Sequence, residues 1–582
     1  MHSRFQLRLA LALVLFLAGA CLTSFAQNRA LTGSVKDDAG QPLPGAAVLS
    51  LDGKRGGVTD IDGRFNIKLN DSDKSVTVSF LGFVPQTFNV EGLERIDVVL
   101  LPDNSALEEV VVIGYGTTKK TDLTGSVASV KMSDIEDTPS TSLDQALQGK
   151  VAGVEIMNTS GEPGAATSIR VRGSRSISAS NEPLIVVDGV TDAVEDMSEI
   201  NPDDIKSISV LKDASSTAIY GTRGSNGVII ITTKQGNTAR PTVTANVTFG
   251  VSQLARRLDI MNASELLRYR NDYLFIDNYI KDGSTSKLPS YDVTQFANNT
   301  DWVDEITRTA FSETANVSVS GKGSKTRYYF SGGFNNTDGI IDGSGFKRGT
   351  ARFSISHDFT KWLNVALKAN YSYVRNDPNK VNISGTNTYT GAVYLPPYMG
   401  PHDSVNPLYE NGRKINTPRA LIDQITSYKT RQNTSFTGEI TLTPVKWLEI
   451  KSQNTYRPYY VQGFKYSPST LPGRYEGQGG QAWRQEYRSM QLLTENTVTA
   501  KKKFGSHYVD GMVGFSASRM TTDDMQVTAD GIIDDNFLWY NMNAVSSKEG
   551  YNVTSSSYDI IRESVFARAN YNFKDRYYLT AT

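Results

Sequence analysis

From about residue 241 to the end, apolar and polar residues alternate in runs of about ten, and this constrains the fold more than any other feature of the chain. Val243, Ala245, Val247, Phe249 and Val251 alternate with Thr244, Asn246, Thr248 and Gly250. Val365, Leu367, Ala369, Tyr371 and Tyr373 repeat the pattern, as do Val565, Ala567, Ala569, Tyr571 and Phe573. Successive side chains of a strand point to opposite faces, so each run is a strand with one apolar and one polar face. Strands of soluble sandwiches average about five or six residues. Longer ones fit lipid outside and an aqueous lumen inside. Because lipid cannot hydrogen-bond a free sheet edge, such strands belong to a barrel.

The connections point the same way. Eleven strands are expected to start near 241, 312, 326, 348, 362, 433, 447, 489, 507, 562 and 576. Short turns at Lys322–Lys325, Asp358–Lys361, Thr443–Lys446, Lys501–Ser506 and Lys574–Asp575 alternate with mostly long connections at 253–311, 337–347, 376–432, 457–488 and 519–561. Short turns at one end and long loops at the other is outer-membrane barrel topology. Two turns share a pattern, Phe359-Thr360-Lys361-Trp362-Leu363 and Pro444-Val445-Lys446-Trp447-Leu448. Tyr328, Trp362, Tyr371, Tyr373, Trp447, Tyr571 and Phe573 lie at strand ends, where interfacial girdles place aromatics.

Composition agrees with this class. The 582 residues hold 60 basic and 61 acidic side chains, so no net field draws the chain to nucleic acid. With 48 glycines, 28 tyrosines and 23 phenylalanines against 39% hydrophobic residues, the balance suits strands apolar on one face only.

Residues 1–26 read as a signal peptide: His2, Arg4 and Arg8, an apolar run from Leu9 to Ala20, then Ser24-Phe25-Ala26 before Gln27. The run is shorter than the ~20 residues of a membrane helix. Cys21 is the only cysteine, and cleavage after Ala26 removes it. A lipoprotein site at Cys21 fits less well, with Ala18 where a bulky aliphatic is preferred.

Residues 27–101 read as a small β-sandwich with strands at Leu31–Val35, Ala46–Leu51, Arg64–Leu69, Ser75–Phe80 and Ile96–Leu101. Residues 57–65 look like a tight hairpin connection. Asp60 and Asp62 supply fewer oxygens than a calcium loop requires, and no metal is expected. Residues 102–117 form a linker around Leu107-Glu108-Glu109-Val110-Val111-Val112-Ile113-Gly114-Tyr115-Gly116. A β-branched tetrapeptide between polar segments suits strand addition to a partner's sheet edge, although on its own it also reads as an ordinary core strand.

Residues 118–235 read as mixed α/β. Thr138-Pro139-Ser140 opens a helix whose Leu143, Ala146 and Leu147 share a face. Strands are expected at Val154–Met157, Ile169–Arg172, Leu184–Val187, Ile205–Leu211 and Val228–Thr233, with a short helix at Ala214–Tyr220. Gly221, Gly224 and Gly227 follow a helix rather than a strand, and no Lys-Ser/Thr comes after them, so they are turns and not a phosphate cradle.

Several separated motifs resemble the SusC/RagA-like class of TonB-dependent outer-membrane transporters. They are Leu107–Thr117, Leu143-x3-Leu147-x-Gly149-x2-Ala152-Gly153-Val154, Ile169-Arg170-Val171-Arg172-Gly173, Pro183–Gly189 with Asp188, Asn201-Pro202-x2-Ile205, and Val210–Ile229 with Lys212, Asp213, Tyr220, Gly221, Arg223, Gly224 and Gly227. Gly45-Ala46 and Thr59-Asp60-x-Asp62-Gly63-x-Phe65 resemble the carboxypeptidase-regulatory-like domain. The resemblance implies a mainly β chain: sandwich, TonB box at 107–116, α/β plug, and the N-terminal portion of an antiparallel transmembrane barrel over 241–582. Its 22-strand barrel implies a fragment lacking about half the wall, which alone leaves two unpaired edges and does not transport.

The resemblance also implies TonB-dependent import across the outer membrane, with TonB and its inner-membrane energising complex, a SusD-like lipoprotein cap, and no cofactor. Glu108 and Glu109 set register for the partner or only keep the segment soluble. Loop aromatics Tyr389, Tyr394, Tyr398, Tyr460, Tyr466 and Trp483 suit stacking on an oligosaccharide; peptide cargo and simple loop packing use such rings too. A signal-transducing receptor and a non-functional remnant are the alternatives. The histidines beyond residue 26, His357, His402 and His507, show no ligand spacing, and no nucleophile–base pair suggests an enzyme.

Overall fold

The computed structural model describes residues 28–582 apart from 39, 51–54, 71–72, 81–82, 102–109, 115, 120–124, 133–141, 159, 283–291, 293, 295, 379–391, 406–413 and 472–477. The signal region, Thr138–Ser140, Leu107–Glu109, Tyr115 and Tyr389 therefore lie outside the described residues. The chain divides into two compact units, Met1–Val110 with Lys119–Thr121, and Val111–Thr118 with Asp122–Thr582.

The first unit is a two-sheet sandwich. β1 (Asn28–Asp37), β4 (Arg64–Asn70) and β7 (Arg95–Leu100) form one sheet. β2 (Ala47–Ser50), β3 (Gly56–Val58), β5 (Ser75–Ser79) and β6 (Gln86–Asn89) form the other. Alternate residues Leu31, Val35, Val48, Phe65, Ile67, Val76, Val78 and Val98 fill the core between them. Residues 57–65 do not join a hairpin: β3 pairs with β2 and β4 pairs with β1, so the turn crosses between sheets. Asp60 Oδ1 accepts the backbone N–H of Asp62 at 2.9 Å and of Arg64 at 2.8 Å, which fixes that crossing turn.

β8 (Val110–Ile113) and β9 (Gly116–Lys119), which but for Val110 and Lys119 belong to the second unit, pair with each other as a two-stranded ribbon. A five-stranded sheet follows in the order β10 (Val127–Lys131), β15 (Ile205–Leu211), β16 (Val228–Thr233), β13 (Leu184–Val187) and β14 (Val190–Thr191). β11 (Val154–Asn158) and β12 (Thr167–Val171) make a separate ribbon. Helix α1 (Leu143–Leu147) buries Leu143, Ala146 and Leu147 against Ile156, Ile169 and Ile208. Helix α2 (Ala214–Thr217) is capped by Asp213, whose Oδ1 accepts from Ser216 N at 2.9 Å.

Eleven antiparallel strands then form one continuous meander: β17 (Thr242–Ser252), β18 (Ala310–Lys322), β19 (Thr326–Asp338), β20 (Gly345–Asp358), β21 (Leu363–Asp377), β22 (Thr426–Val445), β23 (Leu448–Ser467), β24 (Gly480–Phe504), β25 (His507–Ile532), β26 (Tyr551–Phe573) and β27 (Tyr577–Ala581). Neighbours in sequence are neighbours in the sheet, and among the described residues β17 and β27 are each paired on one side only. All eleven expected strands are present. Two connections are much shorter than expected, because β23 runs on to Ser467, β24 begins at Gly480, β25 ends at Ile532 and β26 begins at Tyr551. The gap at 337–347 likewise shrinks to six residues between Asp338 and Gly345. The ladders continue where the apolar face stops, so hydropathy loses the strand while hydrogen bonding keeps it.

The remaining long connections fold locally. Helices α3 (Ala263–Asp282), α4 (Trp302–Ile306) and α5 (Pro418–Gln424) share a small core of Leu267, Trp302, Ile306, Tyr398, Leu421 and Leu471.

Candidate functional site

One face of the meander carries the five-stranded body, with contacts from β18 through β26. Asn201 Nδ2 donates to Asn316 Oδ1 on β18 at 2.9 Å, and Tyr329 on β19 donates to Asp204 Oδ1 at 2.9 Å. At the far side Met512 on β25 packs with Leu184, Val186, Ile219 and Tyr220.

The densest contact is the stretch from Asp188 to Asp204, gripped by four arginines of the wall. Arg348 donates to the carbonyls of Ser198 and Ile200 at 2.9 and 3.0 Å. Arg352 bonds Asp188 Oδ2 at 2.9 Å, with both side chains nearly excluded from solvent. Arg431 reaches Asp196 at 2.7 Å and Ser198 Oγ at 3.1 Å. Arg457, fully buried, bridges Asn433 and Glu195, each at 3.1 Å. Asn433 and Tyr459 donate to the two oxygens of Glu199 at 2.8 and 3.2 Å.

The carboxylates of this stretch do not share one environment. Burial alone raises Asp188, but Arg352, Lys368 and the Thr233 hydrogen bonds outweigh it and hold the group well below the usual carboxylate range. Asp196 is likewise lowered, with burial overcome by Arg431. At Glu199 burial wins over Arg431 and Asn433, and at Asp204 it wins over the hydrogen bonds from Ser331 and Tyr329, so both are raised.

The motif residues mostly build this body. Arg172 (φ 58°), Gly173 (86°), Asp188 (50°), Gly189 (88°), Gly221 (59°) and Gly227 (92°) occupy left-handed positions at turns. A Cβ at Gly227 would stand 2.9 Å from Val171, and one at Gly224 2.7 Å from the Thr217 carbonyl. Lys212 donates to the Ala152 carbonyl at 2.8 Å. Arg223 pairs with Asp192, and Tyr220 is buried. Arg170 keeps a buried Nε without a partner among the described residues.

The segment 107–116 is described only from Val110 onward, without Tyr115. Its strand β8 already has one edge occupied by β9. Gly114, at φ 58°, lies against Ile219, to whose Cγ2 an added Cβ would come within 2.8 Å; a Cβ at Gly116 would be 3.3 Å from Arg568 on β26. The segment therefore rests between the α/β body and the wall.

The aromatic candidates scatter, and the expectation that they stand exposed in loops fails for most. Tyr398 is 1% exposed in the loop core, stacked on Phe296 at 4.8 Å. Tyr460, Tyr466 and Trp483 lie on strands. Tyr459 points at the α/β body, so Tyr460 points away from it. Tyr466 is also on the away side, 1% exposed, bonded to Asp535 at 2.8 Å and packed near Trp539. Trp483 covers Gly463 on the inner side, since 463 and 457 share strand parity. Tyr394 is exposed. Tyr487 lies inside, edge-on to Tyr459 at 6.2 Å. A cavity of about 760 Å³ opens in the body, lined by Asp144, Glu182, Asp192, Glu195, Asp196 and Arg223 among others. Sequence reasoning missed the wall arginines. Their signal was charge on lumen-parity positions, Arg348 with Arg352 on β20, Arg431 on β22 and Arg457 on β23.

An α/β body seated on the inner face of an antiparallel meander is the plug-and-barrel arrangement of TonB-dependent receptors. The family model described as TonB-dependent Receptor Plug Domain matches residues 119–228, and that described as CarboxypepD_reg-like domain matches 31–112. TonB-dependent receptor P3 of Formosa agariphila is 33% identical over 99% of this chain and 56% of its own length. TonB-dependent receptor SusC of Bacteroides thetaiotaomicron is 39% identical over 60% of this chain and 34% of its own. Among solved structures, the RagAB peptide importer in the 'open-open' state superposes with a TM-score of 0.70 at 26% identity, covering 81% of this chain and 55% of that one. The chain is SusC/RagA-like, with the regulatory-like domain, plug and barrel strands of a TonB-dependent transporter. It spans about half the length of the first curated relatives it matches.

Proposed function

We propose that this chain serves TonB-dependent import of a nutrient oligomer across the outer membrane, with the first unit in the periplasm. The observation that carries this is the placement of Gly114 and Gly116 against Ile219 and Arg568: the segment before the plug touches both plug and wall. A periplasmic TonB partner adds a strand to the β-branched stretch Val110–Ile113 and pulls. Backbone hydrogen bonds bear that load without deep side-chain pockets. A SusD-like lipoprotein caps the long-connection end from outside.

The cargo we favour is an oligosaccharide, met above the plug by the inner-face rings of Trp483 and Tyr487 and the loop ring of Tyr394. Peptide cargo is the second reading, supported by the RagAB likeness. In-frame deletion of 107–116 tests the core of the proposal. Uptake of labelled oligomer by cells should stop while the protein stays at the surface. Uptake that continues unchanged would make the protein a passive pore.

A further inference from the structure

Odd positions of β22 and β23 face inwards, as Arg431 and Arg457 show by reaching Asp196 and Glu195 on the plug. Lys429, one inward position beyond Arg431, and Lys465, near the end of β23, share that face. Both are exposed, and neither makes a hydrogen bond or ion pair among the described residues. The arginines lower on the wall are committed to the plug; these two lysines are not.

An aromatic ring lies beside them. Gly463 pairs with Lys429 on one side and Gln485 on the other, and Lys465 pairs with Trp483. A Cβ at Gly463 would stand 2.6 Å from the Trp483 ring, so the missing side chain lets the indole lie down on the strand. Trp483 is only partly buried there, and its indole N–H has no partner among the described residues. The acids of this wall are already occupied. Asp524 accepts from Gln485 at 3.0 Å and from Gln526 at 3.1 Å, one on each oxygen, and Asp530 accepts from Gln481 at 2.6 Å. What the wall offers a ligand is therefore two ammonium groups and an indole N–H, all donors, beside a flat apolar ring.

We propose that this stretch of wall is a subsite for an acidic oligosaccharide, one whose rings bear carboxylate or sulfate groups. The proposal rests on the import reading above and narrows its cargo. The C–H face of a pyranose stacks on Trp483, as an apolar surface does on an aromatic ring. Its anionic group takes charge-assisted hydrogen bonds from Lys429 and Lys465. A neutral glycan would leave both ammonium groups unused. An acidic peptide supplies the charge, but no hydroxyl-bearing ring to meet the indole and the amide oxygens of Gln485 and Gln526 together.

Calorimetric binding to the purified full-length transporter tests this without needing TonB. The probes are oligogalacturonate, oligomannuronate and a sulfated galactan oligomer, each beside its methyl-esterified or desulfated form, and an oligoaspartate peptide. At least one acidic sugar should bind more tightly than its neutral form, and added salt should shrink the gap. Lys429→Gln and Lys465→Gln should each weaken that sugar by roughly 2- to 5-fold, the size of a partly exposed ion pair. Lys429→Arg should keep most of the affinity, and Trp483→Ala should lose it. No acidic sugar bound above its neutral form, or affinity indifferent to both lysines, overturns the proposal. So does oligoaspartate binding as tightly as the best sugar. Uptake by cells of the same labelled probes, with and without residues 107–116, reports separately on the import reading. That reading fails if uptake ignores the deletion, whatever the lysines bind.

Discussion

Arg352 on the wall and Asp188 on the plug, 164 residues apart in sequence, meet at 2.9 Å with side chains only 5% and 9% exposed. Taking two charges out of water is costly, and their attraction offsets that cost only while both remain. Arg352→Ala strands a buried carboxylate, with an expected loss of about 3–5 kcal/mol in plug seating. Arg352→Met with Asp188→Leu should cost far less. Leakage of a large antibiotic through the outer membrane, and protease access to the plug, report both outcomes; equal damage from the single and double variants would contradict this.

The pH dependence of seating follows from the two kinds of carboxylate. Asp188 and Asp196 are lowered in the folded state, so their stabilisation is present above the free-aspartate range, near about 4, and is lost as pH falls below it. Glu199 and Asp204 are raised, so the folded state binds more protons than the unfolded one. Their contribution is greatest below about pH 4 and declines as pH rises through the raised values. Glu199→Gln, which mimics the protonated form, should raise thermal stability near neutrality and leave it little changed at the acid end. Thermal unfolding of purified protein across pH reads this directly; a drop at neutral pH would refute it.

Gly114→Ala should loosen the segment from its berth. The residue sits at φ 58°, where an added Cβ costs about 1–2 kcal/mol and would also press on Ile219. A spin label placed near the segment should become more mobile, and TonB capture should increase without cargo. Unchanged mobility would mean that the contact with Ile219 holds nothing.

Trp483→Ala and Tyr487→Ala should weaken cargo uptake, each by roughly 2- to 12-fold in KM for a ring contact worth about 0.5–1.5 kcal/mol. Tyr460→Ala, on the outward face, should leave KM unchanged. Concentration-dependent uptake of labelled oligosaccharide, repeated with peptide, separates the rings and the two cargo classes.

Much of the fold is legible because local pattern and tertiary structure agree. Leu184–Val187, Ile205–Leu211 and Val228–Thr233 are β-branched runs closed by turn residues, and each is a strand with those bounds. Strand β10 escapes because Val127 and Val130 are too few to show a period. Tyr398 and Tyr466 misled for a different reason. A ring in a polar stretch looks exposed until a distant segment, such as the one bearing Trp539, folds over it. The pairing of Arg431 with Asp196 spans 235 positions, and no local pattern encodes which acid meets which base.

Among the described residues, strand β10 is the first regular element of the plug after the ribbon β8–β9, and it lies at the edge of its sheet, bonded only to β15 with Val127 opposite Leu211. Traction entering from the N-terminal side loads that ladder one rung at a time, like a zip. The stretch from Asp188 to Asp204 instead shares any load among many bonds at once. A tug on the chain therefore peels one hem of the stopper while the rest stays riveted to the wall.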